Sequence, residues 1–212
     1  MREYLGEVYR FEHRGDRATT GLIAERVGVS LPAVAKMLAR LDKAGLLKRE
    51  PYQGVRLTPS GEREALRSIR RHRLLEVFLV KVMGFGWEET HDHSHALEGA
   101  LNEALEDRMD EMTGHPTRCP HGDPIPTKDG VMPQVRDVCL ADCPPGASGR
   151  LSRVRTHDPD KLRYLAGLQL TPGAPISVKS HAPFNGPVRV ASGSAEHVLG
   201  TELARSLFVE LG

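Results

Sequence analysis

Cysteine and long apolar runs are scarce in this 212-residue sequence. Three cysteines, Cys119, Cys139 and Cys143, do not make a disulfide framework, which argues against a disulfide-rich secreted protein and favours a reducing cytoplasm. The longest apolar stretch, residues 74–87, is interrupted by charges and is too short to span a bilayer. The first residues also lack the hydrophobic region of a secretory signal. We therefore expect a cytoplasmic protein with no membrane partner.

Net charge is almost absent overall, at +1, but the charges are unevenly distributed. Residues 1–73 hold 16 Lys and Arg against 9 Asp and Glu, a balance of +7. Residues 74–120 hold 3 against 10, a balance of −7, whereas residues 121–212 hold 10 against 9. A basic block followed by an acidic, His-bearing block indicates a polyanionic partner for the first and a cation for the second.

The stretch from His72 to Glu98 holds four of the ten histidines, His72, His91, His93 and His95, interleaved with carboxylates. His72 and Glu76 are spaced i,i+4, and His91, His95 and Glu98 fall at i, i+4 and i+7, so each set lies on one face of a helix. Two helices that bring these faces together would offer up to five nitrogen and oxygen ligands to one or two divalent metals. The alternative is two solvated helix faces, because His and Glu are common on surfaces.

The N-terminal block has the pattern of a winged helix-turn-helix. Helices are expected over residues 2–14 and from residues 19–20 to 26, and Gly28 allows a tight turn. A third helix follows, with Ser30 as an N-cap candidate and Pro32 in its first turn. Two β-prone runs within residues 46–58 then predict a hairpin wing.

The remaining segments are predicted from periodicity and composition. A long helix is expected from Ser60 to about Met83, and a further helix from about residues 88–90 to Met112. Residues 117–149 are dense in Pro and Gly and are interpreted as a structured loop or linker. Short alternating runs after residue 150 predict a small β-barrel. We expect three histidines of this part at its surface: His157, His181 and His197.

In order and spacing, these pieces resemble the diphtheria toxin repressor family, which includes the iron-dependent repressors and the manganese transport regulator. The motifs that carry the resemblance are Ser-Leu-Pro-Ala-Val-Ala-Lys-Met at 30–37, Gly-Val-Arg-Leu-Thr-Pro-Ser-Gly at 54–61, Arg-His-Arg-Leu-Leu-Glu at 71–76, His-Asp-His-Ser-His-Ala-Leu-Glu at 91–98 and Cys-Pro-His-Gly-Asp-Pro-Ile-Pro at 119–126. The resemblance implies a mainly α fold with a small β domain. Its expected parts are a winged helix-turn-helix DNA-binding domain (1–62), a helical metal-binding and dimerisation domain (63–132), a linker (133–149) and an SH3-like, FeoA-like β-barrel (150–212).

The resemblance also implies two neighbouring metal sites. His72, Glu76 and His91 correspond to one, and Glu3, His95 and Glu98 to the other. The sequence departs from the family at three places. His95 stands where the family has Cys or Glu, Gly99 stands where it has His, and Arg153 and Thr156 stand where some members lend a Glu and a Gln to the first site. Each site would then be completed by water, by Asp92 or His93, or by a side chain that reaches the metal from a different position.

For the metal, a nitrogen and oxygen donor set favours Mn²⁺, with Fe²⁺ next, and Co²⁺, Zn²⁺ or Cd²⁺ are expected to bind in vitro. We expect no enzymatic activity, because no general-base pattern accompanies the ligands. The alternatives are a metal-dependent hydrolase or metal-storage module with a structural helix-turn-helix, and a DNA-binding protein whose metal is purely structural. Separately, Cys119, His121, Cys139 and Cys143 either form a zinc site, or the segment at 119–122 is a turn that packs on the metal-binding helices.

For DNA, the start of the third helix is expected to meet base edges through Ser30, Pro32, Ala33 and Lys36. Phosphate contacts are expected from Arg40, Lys43, Arg49 and Arg56, and wing contacts from Tyr52 and Gln53. The resulting hypothesis is a homodimeric, metal-activated transcriptional regulator that binds double-stranded operator DNA. Repression of metal homeostasis genes is what the resemblance implies.

Overall fold

The computed structural model of the protein describes residues 2–50 and 54–212, which form two compact units. One unit contains the residues up to 72 together with 126–133, and the other contains residues 73–125 and 134–212. None of the helices in these ranges is both long and apolar enough to cross a membrane.

The first unit contains three whole helices, a hairpin and the first part of a fourth helix. Its elements are α1 (Arg2–Glu12), α2 (Thr20–Val27), α3 (Leu31–Lys43), β1 (Leu47–Glu50), β2 (Gly54–Leu57) and the first part of α4 (Pro59–Lys81). Thr19 caps α2 by accepting a hydrogen bond from the Leu22 N–H at 3.3 Å. Gly28 has a φ of +71°, which lets the chain turn from α2 into α3. The predicted helix-turn-helix is confirmed.

The hairpin forms the predicted wing and is fixed to the helices. Leu47 on β1 lies opposite Leu57 on β2, and the Leu57 N–H donates to Glu12 Oε1 of α1 at 2.9 Å. The apolar faces of these elements share one core, which includes Leu5, Val8, Ile23, Val34, Leu38, Leu41, Leu47, Val55, Leu66 and Ile69. Burial of this face positions α3, while the residues at its start remain exposed.

The second unit begins within α4 and continues with α5 (Thr90–Leu97), a 3₁₀ turn (Glu98–Ala100) and α6 (Glu103–Met112). The sequence predicted one helix from about residues 88–90 to 112, and this prediction is wrong. The backbone becomes extended at Leu101, and the Asn102 side chain starts α6 by accepting the Leu105 N–H at 2.9 Å. Glycine at 99 is a poor helix former and Asn is a strong N-cap, so local preferences break the helix.

The rest of the second unit is an antiparallel sheet with two helices. Its strands are β3 (Val138–Cys139), β4 (Ser148–Val154), β5 (Pro175–His181), β6 (Val188–Ser192), β7 (Ala195–Leu199) and β8 (Leu207–Leu211), in the order β3-β8-β4-β5-β6-β7. The helices are α7 (Pro159–Gly167) and α8 (Thr201–Ser206). The sheet has its own core, which includes Leu151, Val154, Leu162, Leu165, Ile176, Val190 and Leu207.

The predicted fold class, mainly α with a small β domain, is confirmed. The predicted linker is only partly irregular, because β3 and a 3₁₀ turn (Leu140–Asp142) lie within residues 133–149. A two-residue strand is too short to produce an alternating pattern, which is why the sequence did not reveal it. The domain boundaries otherwise stay predictions.

A turn at residues 119–123, here called the His121 turn, is held against β4. The Cys119 N–H donates to the Asp123 carbonyl at 2.9 Å, and the Val154 N–H donates to the His121 carbonyl at 2.8 Å. Gly122 has a φ of +87°, and a Cβ there would lie 2.0 Å from the Ser152 carbonyl oxygen, so only glycine fits. Cys119 packs in a small cluster with Leu74 and Val77 of α4, as the turn interpretation expects.

Candidate metal centre

Helix α4 carries two polar side chains into a buried environment. His72 and Glu76 lie one helical turn apart and are 6% and 1% exposed. Burying a carboxylate is costly unless a hydrogen bond, a charge or a metal compensates for the lost water. The groups around Glu76 therefore indicate what compensates for the burial of its carboxylate.

Helix α5 supplies the first partner. His91 Nδ1 lies 3.7 Å from Glu76 Oε1, and ligand atoms of His72, Glu76 and His91 all lie within 4.8 Å of one another. The structure thus brings together the three residues that the family resemblance assigned to one site. Their role as ligands stays a prediction.

The His121 turn supplies a second partner that the site prediction missed. The His121 side chain is completely buried, and its Nε2 lies 3.0 Å from the Trp87 carbonyl oxygen. A carbonyl only accepts hydrogen bonds, so Nε2 carries the proton, and in the neutral ring Nδ1 bears a lone pair. Hydrogen bonding of the remote ring nitrogen to a carbonyl is a common way to orient a metal-binding histidine.

Nδ1 of His121 faces the buried carboxylate of Glu76. Nδ1 lies 3.5 Å from Glu76 Oε1 and makes no hydrogen bond with any residue that the structure describes. Two electron-rich atoms at this distance in a buried site repel each other unless a proton or a cation lies between them. This arrangement fits a metal-binding role for the two residues.

His157 completes the cluster from beyond the end of β4. Its ring stacks on His91, with centroids 3.8 Å apart and 12° between the planes, and meets the edge of His121 with centroids 5.4 Å apart. Ligand atoms of Glu76, His121 and His157 lie within 4.8 Å of one another. His157 is exposed, as expected for a histidine of the β domain, but its contact with the helical histidines was not predicted.

The two groups share Glu76, so four imidazoles and one carboxylate surround a small region. Such a set suits first-row divalent transition metals. Cysteine is not part of either group among the described residues. Burial, together with the nearby carboxylates of Glu76 and Asp123, raises the pKa of the Cys119 thiol well above its usual value. The separate zinc site of three cysteines and His121 is therefore not supported.

The second predicted site is not assembled in the same way. His95 Nδ1 lies 3.8 Å from Glu98 Oε1, and Glu3 is half-buried on α1. Neither of the two groups found within residues 2–50 and 54–212 contains these three residues. Asp92 and His93, considered as additional ligands, are exposed on α5.

Arg153 and Thr156, at the positions where some family members supply a Glu and a Gln, both make hydrogen bonds elsewhere. Arg153 donates to both carboxylate oxygens of Asp137, at 2.6 and 2.5 Å. The Thr156 hydroxyl accepts the N–H of Asp158 at 3.2 Å. His157, which belongs to one of the two groups, follows Thr156 directly in the sequence.

The predicted DNA-contacting residues of the first unit lie on accessible surface. Exposed members are Ser30, Pro32, Ala33, Lys36, Arg40 and Arg56. Arg56 forms an ion pair with Glu50 at 3.0 Å, and Arg49 donates to the Ala35 carbonyl at 3.1 Å, which connects the wing to α3. Tyr52 and Gln53 lie outside the described residues.

Comparison with known proteins covers almost the whole chain. Residues 1–55 match the family model "Iron dependent repressor, N-terminal DNA binding domain", residues 58–127 match "Iron dependent repressor, metal binding and dimerisation domain", and residues 138–211 match "FeoA domain". The "Iron-dependent repressor IdeR" of Mycobacterium tuberculosis is 31% identical over 219 aligned positions, which cover 98% of this chain and 95% of that protein.

Solved structures give the same result. A "Manganese-dependent transcriptional repressor complex with manganese" is 36% identical and superposes with a TM-score of 0.92, over 100% of this chain and 99% of that one. "Crystal structure of T. acidophilum IdeR" is 29% identical, with a TM-score of 0.82, and covers 100% and 98%. By its sequence identity, coverage and fold, the chain belongs to the iron-dependent repressor family.

Proposed function

We propose that this protein is a metal-dependent transcriptional repressor whose metal is held by His72, Glu76, His91, His121 and His157. The observation that carries the proposal is the buried His121 Nδ1, which faces the Glu76 carboxylate without a hydrogen bond. Family membership and the exposed start of α3 support the DNA-binding part of the proposal.

The metal we propose is Mn²⁺, with Fe²⁺ as the second candidate. The similar solved repressor named as a complex with manganese supports the first ion, and the name of the mycobacterial relative supports the second. A set of four imidazoles and one carboxylate binds Co²⁺ and Zn²⁺ more tightly by intrinsic affinity, so availability in the cell would have to select the ion. A bound divalent ion would supply positive charge beside the buried Glu76 carboxylate.

The partner we propose is double-stranded operator DNA, bound by a homodimer. Ser30, Pro32, Ala33 and Lys36 would face base edges from α3, and Arg40 and Arg56 would face phosphates. In a dimer, two such helices meet half-sites about one helical turn apart. The match to a dimerisation domain at residues 58–127 supports the oligomeric state.

The regulatory coupling follows from where the ligands originate. Glu76 lies on α4, His91 on α5, His121 in a turn and His157 after β4, so occupancy ties four separate segments together. Repression requires only a modest preference of the metal-bound state for DNA. A coupling free energy of about 1–3 kcal/mol changes affinity roughly 5–150-fold.

The test is DNA binding with and without metal. Duplexes would be selected from a random-sequence pool by the protein in Mn²⁺, and their affinity would then be measured in Mn²⁺ and in EDTA. We expect tighter binding in Mn²⁺ and loss of the difference in Glu76→Gln. Equal affinity in both conditions would rule out metal activation, and metal-dependent binding that survives Lys36→Ala unchanged would argue against the assigned helix.

A series with Mn²⁺, Fe²⁺, Co²⁺ and Zn²⁺ on one preparation would test the choice of ion. For each ion, metal affinity and DNA affinity are measured together, because an ion that binds without promoting DNA binding is not an activator. The Mn²⁺ assignment is contradicted if Mn²⁺ fails to promote DNA binding where another ion of the series succeeds.

A further inference from the structure

The His121 turn is attached to β4 by more than its backbone hydrogen bond. Arg118 Nη1 donates to the Gly122 carbonyl at 2.9 Å and to Ser152 Oγ at 3.2 Å. The Gly122 backbone also approaches β4 so closely that a side chain at this position would overlap Ser152. The position of His121 therefore depends on contacts made by a strand of the C-terminal sheet.

A chain of alternating charges lies beside this attachment. Asp123, at the end of the turn, receives Arg153 from β4, with Nη1 to Oδ1 at 3.5 Å, and Arg73 from α4, with Nη2 to Oδ2 at 3.7 Å. Arg153 in turn holds Asp137 with two short hydrogen bonds. The side chains of Asp137 and Arg153 are 2% and 11% exposed, so water screens this pair only weakly.

Both members of the pair remain charged at neutral pH. Burial alone would lower the pKa of Arg153, but hydrogen bonding to Asp137 outweighs it and raises that pKa. Burial would likewise raise the pKa of Asp137, but the hydrogen bonds from Arg153 and Ser152 lower it. Arg153 is thus oriented by Asp137, and its remaining nitrogen is directed at Asp123.

We propose that Arg153 is a positioning residue for the metal centre: held by Asp137, it fixes Asp123 and thereby the turn that directs His121 Nδ1 at Glu76. This inference rests on the proposed function, because it assigns His121 a role in metal binding. It differs from a ligand role, since the Arg153 guanidinium is positively charged and carries only donors. In this chain an arginine of the sheet would act on the metal through an ion pair.

The distinguishing measurement is a double-mutant cycle on metal affinity in the full chain. Arg153→Leu should weaken Mn²⁺ binding roughly 10- to 100-fold, the usual effect of losing a group that orients a metal ligand. In a His121→Ala background the same substitution should have little further effect, because residues that act through one another are not additive. Arg150→Leu is the matched control, since Arg150 lies on the same strand and donates to the Gly173 carbonyl.

A second variant addresses a possible failure to fold. Asp123→Asn keeps the size of the side chain and removes the charge that receives Arg153, so it should weaken Mn²⁺ binding in the same direction. Co²⁺ absorption of this variant should shift in the direction seen for His121→Ala. Circular dichroism of each variant checks that the fold is retained, and Arg150→Leu controls for the loss of an arginine from β4.

The outcomes separate the two proposals. Wild-type protein that binds no divalent metal would contradict the proposed function. Wild-type binding that His121→Ala weakens, but that Arg153→Leu and Asp123→Asn leave unchanged, would overturn the positioning role alone. Equal losses from Arg153→Leu with and without His121 would also overturn it, because they would show a general structural effect.

Discussion

The imidazole rings of His91 and His157 stack with their centroids 3.8 Å apart, although one ring belongs to α5 and the other follows β4. His157 is exposed and His91 is half-buried. Each ring also has a nitrogen within 4.8 Å of a Glu76 carboxylate oxygen. The stack therefore marks the place where the helical and sheet segments of the second unit supply the same candidate metal centre.

Loss of His121 should weaken metal binding strongly. We expect His121→Ala to cost at least as much as the roughly 10- to 100-fold loss typical of an orienting group, because a direct ligand disappears. The measurement is competition with a metal-sensitive dye for Mn²⁺ and Co²⁺. His181→Ala is the control, because His181 bonds the Cys143 carbonyl at 2.7 Å and belongs to neither ligand group. Equal affinities of the two variants would contradict this assignment.

Replacement of Glu76 should have the largest effect on metal affinity among the ligands. It belongs to both groups, whereas His91 and His157 each belong to one. Glu76→Gln should therefore reduce affinity more than either His91→Ala or His157→Ala, measured by calorimetry. Glu106→Gln is the control, since Glu106 is also buried, at 7% exposed, but lies in neither group. The prediction fails if a single histidine variant loses more affinity than Glu76→Gln.

The Arg153–Asp137 pair should give stability a defined pH dependence. The pKa of Asp137 is lower in the folded chain than its usual value of 3.8, so the unfolded chain binds this proton more readily. The stabilisation is therefore fully present above about pH 4 and is lost as pH falls through the folded pKa. Asp137→Asn should cost about 3 kcal/mol of unfolding free energy at pH 7, because it removes the close carboxylate from the buried Arg153 guanidinium, whose contact with Asp123 is longer, at 3.5 Å.

The measurement for Asp137 is urea unfolding of both proteins from pH 7 downwards. The difference between wild type and Asp137→Asn should be constant near neutrality and shrink below about pH 4. A difference that persists unchanged into strong acid would show that the stabilisation does not come from the ionised carboxylate.

Two glycines offer a matched comparison. Gly122 and Gly146 have nearly equal φ values, +87° and +86°, but a Cβ at Gly122 would collide with Ser152, whereas no atom lies within 4 Å of one at Gly146. Gly146→Ala should cost about 1–2 kcal/mol for the left-handed backbone alone. Gly122→Ala should cost clearly more and also weaken metal binding. Thermal unfolding of the two variants checks the difference in stability. Equal melting temperatures of Gly122→Ala and Gly146→Ala would contradict it.

Cys119 should resist alkylation in the folded protein. Its thiol is buried and its pKa is raised by that burial, so little of the reactive thiolate exists. Iodoacetamide labelling at pH 8, read by mass spectrometry, should modify the half-buried Cys139 first. Faster labelling of Cys119 than of Cys139 would show that the His121 turn opens in solution.

Local periodicity was enough to predict part of the centre. His72 and Glu76 are one helical turn apart, and this geometry follows from sequence spacing alone. His121 and His157 could not be placed in this way, because irregular segments have no period. Their positions depend on long-range contacts, such as the Val154 N–H to the His121 carbonyl, that no local pattern encodes.

The break after α5 is a second feature that periodicity did not predict. Apolar periodicity continues across residues 98–102 and predicted one helix. In the structure, the helical segment ends at Ala100, just after Gly99, and the Asn102 cap begins α6. The predicted site of Glu3, His95 and Glu98 relied on the family resemblance and on an uninterrupted helix. It stays a prediction.

Helix α5 has only eight residues, fewer than a peptide helix needs to persist alone in water. Its order must come from the contacts that bury Thr90 and Ser94. A segment of this kind opens at low free-energy cost, so its amide hydrogens exchange with solvent sooner than those of a long, packed helix such as α4. Ordering α5 would then offset part of the free energy of metal binding. Metal binding in solution should slow the hydrogen exchange of the amides in residues 90–97.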